Sequence, residues 1–122
     1  MKSHHDLTVW RSSIALAKSV YEMTHNFPKD ELYGLTSQIR RASVSIASNI
    51  AEGSARQGTK ELVQFLYIAA GSANELDTHF EICKEVGFIS EKDSKAIQQD
   101  IAEVLKMLRG LIRSLKAAPA TR

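Results

Sequence analysis

Apolar side chains recur at three- and four-residue intervals along nearly the whole chain, and turn-forming residues interrupt the pattern in only three places. That period belongs to helices with one buried face, and strand alternation is missing throughout. The interruptions are Asn26-Phe27-Pro28, the stretch bracketed by Gly53 and Gly58, and Gly87. Four helices joined by short turns pack as antiparallel neighbours, so the expected fold is an all-α, up-down four-helix bundle. With 122 residues and 43% hydrophobic content, the chain can fill one core. The expectation is a single domain over residues 1–122, frayed at 1–6 and 117–122.

The first helix should span residues 8–25. Trp10, Ile14, Ala17 and Tyr21 share a face, widened by Val9 and Val20, and Pro28 stops the helix. The second should span residues 30–55, with Leu35, Ile39, Ala42, Ile46 and Ile50 as its main stripe. A second face carries Tyr33, Ser37, Val44, Ala47 and Ala51, and a third carries Gln38, Arg41, Ser45, Asn49 and Glu52. Two faces of mostly small residues imply burial on more than one side, by a neighbouring subunit as well as by the chain's own core. The third helix should span residues 59–86, N-capped by Thr59 and ended by Gly87. Leu62, Phe65, Leu66, Ala69, Ala73, Leu76, Phe80 and Cys83 form its stripe, and Gly71 in mid-helix points to close helix contact. The fourth should span residues 91–118, opened by Ser90 with Asp93 and closed by Pro119. Ile97, Ile101, Val104, Leu108, Leu111, Ile112 and Leu115 supply its apolar face.

The net charge of +2 conceals a strong asymmetry. Residues 61–103 hold nine Asp/Glu against three Lys/Arg, whereas residues 104–122 hold five Lys/Arg and no acid. Such segregation favours a charged partner, either another subunit or a polyanion. Lys106, Arg109, Arg113 and Lys116 fall on one helical stripe. A solvated flank gives the same spacing, but so does a phosphate-binding stripe. Arg40, Arg41, Arg56 and Lys60 suggest a second cluster toward the turn after the second helix. No exposed aromatic platform of the kind used by single-strand binders stands out, so contact with nucleic acid should be to backbone or shape.

Enzyme chemistry has no supporting constellation. A di-iron bundle needs two Glu-x-x-His pairs plus two further glutamates, and only Glu22 with His25 matches. His79 follows Glu75 by four residues, and His4-His5 belongs to the polar start of the chain. Glu52 and Glu75 read as structural partners of Arg40 or Arg41 rather than as an acid–base pair. No phosphate loop, zinc-spaced set or nucleophile elbow occurs, and no cofactor or metal is expected. Cys83 reads as a small core residue, and a lone thiol suits a reducing compartment. With no apolar run near the ~20 residues that span a bilayer and no opening segment resembling a secretory signal, the expected location is the cytoplasm.

A series of residues then carries a resemblance. Leu7-x-Val9-Trp10, Tyr21, Phe27-Pro28, Gly34-Leu35, Gln38-Ile39-Arg40-Arg41-Ala42, Ser45-Ile46, Ser48-Asn49-Ile50-Ala51-Glu52-Gly53, Phe65-Leu66 and Gly71-Ser72-x-x-Glu75-Leu76 stand in that order. This resembles the four-helix-bundle protein family encoded by intervening sequences within bacterial 23S rRNA genes. The accessory variability determinant protein of diversity-generating retroelements is similar to that family. Ala47 departs from the pattern, since the family often has proline there. The resemblance implies a homopentamer with a positively charged surface and, for the retroelement relative, binding to RNA and to a reverse transcriptase. Residues 48–53 are expected to be structural, with Asn49 and Glu52 bonding across to the third helix or a neighbouring chain and Gly53 allowing close passage.

Overall fold

A computed structural model describes residues 3–117. Its α-helices are α1 (Thr8–Thr24), α2 (Leu35–Ser54), α3 (Thr59–Glu85) and α4 (Glu91–Ala117), and the described residues contain no strand. Each helix packs against two others, in the ring order α1, α2, α3, α4 and back to α1. Side-chain contacts give the directions. Ser45 of α2 meets Ser72 of α3, while Gly53, further along α2, lies against Leu62 and Phe65, earlier in α3. Ser94 and Gln98 of α4 reach back to Phe80 and Asp77 of α3, and Lys116 reaches Tyr67. Arg40, early in α2, meets Thr24 at the end of α1. Neighbouring helices are therefore antiparallel, as short connections require.

Val20, Ile39, Ile46, Ile50, Leu66, Leu76, Phe80, Ile101 and Leu108 are closed from solvent at the bundle axis. The expected stripes of α2, α3 and α4 supply most of this core, with Leu35, Phe65, Leu111 and Leu115 only partly covered. Burial of Cys83 pushes its thiol up to about 11, and the nearby Glu31 charge adds to the shift.

α1 is rotated from its expected orientation. It buries Val9, Ser13, Leu16, Val20 and Thr24, whereas Ile14 and Tyr21 are exposed and Trp10 and Ala17 are half-buried. Two hydroxyls explain the difference. Ser13 donates to the Val9 carbonyl at 2.7 Å and Thr24 to the Val20 carbonyl at 2.8 Å. Each enters the core without a stranded donor, so polar residues occupy positions that an apolar count passes over.

The helix ends differ in detail. α2 begins five residues later than expected, after a 3-10 turn at Lys29–Glu31, and the Glu31 carboxylate accepts the Leu35 N–H at 3.3 Å. Gly58, not Thr59, is the N-cap of α3. At its other end Gly87 has φ +82°, and Gly87 and Phe88 donate to the carbonyls of Lys84 and Cys83 at 3.2 and 2.9 Å. This left-handed residue closes the helix with two satisfied carbonyls. Ser90 accepts the Asp93 N–H at 3.1 Å and starts α4. Residues 3–6, expected to fray, form a 3-10 turn at His4–Asp6 capped by Ser3 and held by Arg11, which donates to the His5 carbonyl at 2.7 Å. Pro119 and the rest of the expected C-terminal fray beyond Ala117 lie outside the described residues. Among those residues no helix is long and apolar enough to cross a membrane.

Candidate nucleic-acid interface

The antiparallel order decides which charges share an end of the bundle. The last turns of α4 lie beside the first turns of α3, which follow directly from the end of α2. Arg56, Lys60, Arg109, Arg113 and Lys116 therefore belong to one end, with Lys106 a turn further in. All six are exposed. Among the described residues no carboxylate comes within salt-bridge distance of Lys60, Lys106, Arg109, Arg113 or Lys116. The opposite half of α3 and α4, residues 73–103, carries eight Asp/Glu against three Lys/Arg. The bundle is thus electrically polarised along its axis.

The four cations of α4 also face a defined side. Gln98 and Lys116 both reach α3, and Arg109 lies three turns from the first and two from the second, on the same flank. Lys106 and Arg113 lie slightly further out, so the stripe runs along the outer edge of the α3–α4 seam.

The second expected cluster does not form. Arg40 and Arg41 lie ~20 Å along the bundle from Arg56 and Lys60, because each helical residue advances 1.5 Å. Arg40 is half-buried: its Nε donates to Thr24 Oγ1 at 3.0 Å, and its guanidinium lies 4.7 Å from the Tyr21 ring centroid. It locks α1 to α2. Arg41 is exposed on α2. Arg56 and Lys60 join the α4 stripe instead. Arg56 lies 3.6 Å from Glu52 and 5.0 Å from the Phe65 ring centroid.

Residues 48–53 separate into distinct roles. Gly53 is buried, and a Cβ there would stand 2.7 Å from the Phe65 Cβ and 3.1 Å from Leu62 Cδ1. Only glycine permits this approach of α2 to α3. Within the chain, Asn49 does not cross to α3; it donates to the Ser45 carbonyl and hydroxyl at 2.8 and 3.0 Å. Ser45 makes the crossing, 2.9 Å from the Ser72 hydroxyl. Glu52 is exposed and pairs with Arg56, just past the end of its helix, and Glu75 pairs with His79 at 3.3 Å rather than with either arginine of α2. Gly71 is exposed, and a Cβ there would meet nothing within 4 Å, so close contact inside the bundle is not its reason. Trp10 is half-buried, with its ring 4.8 and 4.6 Å from those of His4 and His5.

Glu22 and His25 lie at an open depression with Tyr21, Asn26 and Arg40. Among the described residues no three of His, Cys, Asp or Glu converge as metal ligands would. Aromatic exposure corrects the sequence reading: Tyr67 is 51% and Tyr33 94% exposed. Tyr67 belongs to the basic end. Its signal in sequence was its place seven residues after Lys60 and four before Gly71, which puts all three on one helix face.

The comparisons agree with the fold. A crystal structure from Bacteroides thetaiotaomicron, described as a protein of unknown function from the S23 ribosomal protein family, superimposes with a TM-score of 0.78. At 26% identity the match covers 87% of this chain and 99% of that one. No curated protein matches the sequence. The family model described as 23S rRNA-intervening sequence protein matches residues 5–110. That match takes in all of α1, α2 and α3 and most of α4, and the chain belongs to the 23S rRNA-intervening sequence protein family.

Proposed function

We propose that the chain is a non-enzymatic, cytoplasmic, oligomeric protein that binds nucleic acid, with structured RNA the preferred class, through phosphate contacts at the basic end of its bundle. The observation that carries this reading is the α4 stripe of Lys106, Arg109, Arg113 and Lys116, exposed beside Arg56 and Lys60 and, among the described residues, without a carboxylate partner. Lys and Arg that neutralise phosphates release the counterions condensed on the polyanion, and that release drives binding. The acidic far half of α3 and α4 repels the same ligand and restricts binding to one end.

The proposed assembly is a homopentamer. The outer face of α2 supports it, where Val44 is exposed beside Ser37 and Ser48, with exposed Tyr33 in the turn just before the helix. Repetition of the basic end around a ring would let weak phosphate contacts add. The sequence resemblance, extended to the accessory variability determinant protein, adds a reverse transcriptase to the proposed partners.

Gel-shift titrations at 50 and 200 mM salt test the reading. Four phosphate contacts predict about a hundredfold weaker duplex binding at the higher salt. Arg109→Glu with Arg113→Glu should weaken binding to every sequence alike while the melting temperature stays put. A second reading, a protein scaffold without nucleic acid, is favoured by the axial charge polarity itself: an acidic end of one copy could face the basic end of another. No binding at low salt, or binding indifferent to the double reversal, would select the scaffold.

A further inference from the structure

The basic end holds an aromatic ring that phosphate binding does not require. Tyr67 lies on the outward face of α3, half exposed, with exposed Ile68 next to it. Lys116 Nζ is 3.3 Å from the Tyr67 hydroxyl but 5.7 Å from its ring centroid. Those two distances put the ammonium off the hydroxyl edge of the ring and not over its face. One turn along, Gly71 leaves open space where any other residue would place a side chain. Lys60 stands two turns earlier on the same face, and Arg113 lies next to Lys116 on the flanking edge of α4.

We infer that Tyr67, Ile68 and Gly71 form a stacking shelf for one unpaired base of a single-stranded segment. Lys116 and Arg113 hold the phosphate on one side of that nucleotide, and Lys60 holds the next along the strand. An aromatic ring stacks on any base, so the shelf confers preference for unpaired strand without sequence specificity. A duplex keeps its bases stacked inside and cannot use it. Charge complementarity selects this occupant over an apolar peptide, because cations flank the ring on two sides and, among the described residues, no carboxylate pairs with them. The inference rests on the basic end being a nucleic-acid site and adds which form of nucleic acid it prefers.

The test compares the full chain binding a labelled 12-nucleotide oligouridine and a 12-base-pair RNA duplex at 50 mM salt. Tyr67→Ala should weaken oligouridine binding about 5- to 150-fold, the range that removal of one stacked base spans. Duplex binding should change less than twofold. Tyr67→Phe keeps the ring and should retain tight binding. Gly71→Leu fills the shelf at a position with no close neighbour and should mimic Tyr67→Ala, which covers the case in which the alanine variant folds poorly. Equal losses on both ligands, or no loss on oligouridine, would overturn the shelf while the phosphate reading stands. A change in sedimentation that tracks the loss would also overturn it, assigning the face to a second copy. If the parent binds neither ligand, both proposals fall.

Discussion

The two sides of α3 differ more than any two helices of the bundle do. Its inner side carries Leu66, Ala69, Ala73, Leu76 and Phe80, all closed from solvent. Its outer side carries Lys60, Tyr67, Ile68, Gly71 and Ile82, every one exposed. The outer side is mixed, with Tyr67, Ile68 and Ile82 standing exposed among Glu61, Gln64, Asn74, Glu75, Thr78, Glu81 and Glu85, so the helix is hard to orient from composition. The inner side stabilises the fold, whereas an outer side with this much exposed apolar surface is available for a partner or ligand.

The largest expected effect comes from adjacent positions on these two sides. Phe80→Ala should destabilise by about 3–5 kcal/mol, because a large buried ring leaves a cavity that four packed helices cannot close. Ile82→Ala, two residues later on the open side, should stay within about 0.5 kcal/mol. Urea melts of both variants check the comparison. If the two cost the same, the outer side is covered in solution and belongs to an interface.

The glycines give a second contrast, of opposite sign. Gly53→Ala would put a methyl 2.7 Å from the Phe65 Cβ, so α2 and α3 must move apart, and overpacking of this kind costs about 1–3 kcal/mol. Gly71→Ala meets nothing and should stabilise by about 1 kcal/mol through helix propensity alone. Thermal melts separate the two directly. A destabilised Gly71→Ala variant would mean that something lies against the outer face in the assembled protein.

These contrasts also show what could be read before the structure. The fold class was legible because helical periodicity is a long-range signal that survives local errors, and the stripes of α2, α3 and α4 were correct at nearly every position. The orientation of α1 was not, because Ser13 and Thr24 satisfy their own hydroxyls within the helix and count as polar in any pattern. The α4 stripe was legible for the same reason as the core. Its union with Arg56 and Lys60, and the separation of Arg40 and Arg41, depend on which helix ends meet. Topology decides that, and spacing along the chain does not. Tyr67 was missed because Leu66 beside it belongs to the core, and adjacent residues on a helix point ~100° apart.

Glu52 provides the finest test, since it stands where the structural segment meets the basic end. Ile50 and Gly53, on either side of it, are buried, but Glu52 itself is exposed and pairs with Arg56 at 3.6 Å. An exposed i,i+4 pair contributes at most about 0.5 kcal/mol, so Glu52→Gln should barely move the melting temperature. Its effect on binding should have the opposite character to that of every other substitution in the segment. The carboxylate neutralises one of the six cations at this end, and its removal leaves the Arg56 guanidinium beside the Phe65 ring without its counter-charge. One further phosphate contact would then become available. Glu52→Gln should tighten nucleic-acid binding a few-fold at low salt and steepen the dependence of log K on log salt by about 0.7–0.9, the increment for one more neutralised phosphate. Titrations of parent and variant at several salt concentrations measure that slope. An unchanged slope would place Arg56 outside the interface and confine binding to the α4 stripe, while weaker binding would mean that the Glu52–Arg56 pair orients the guanidinium rather than restrains it.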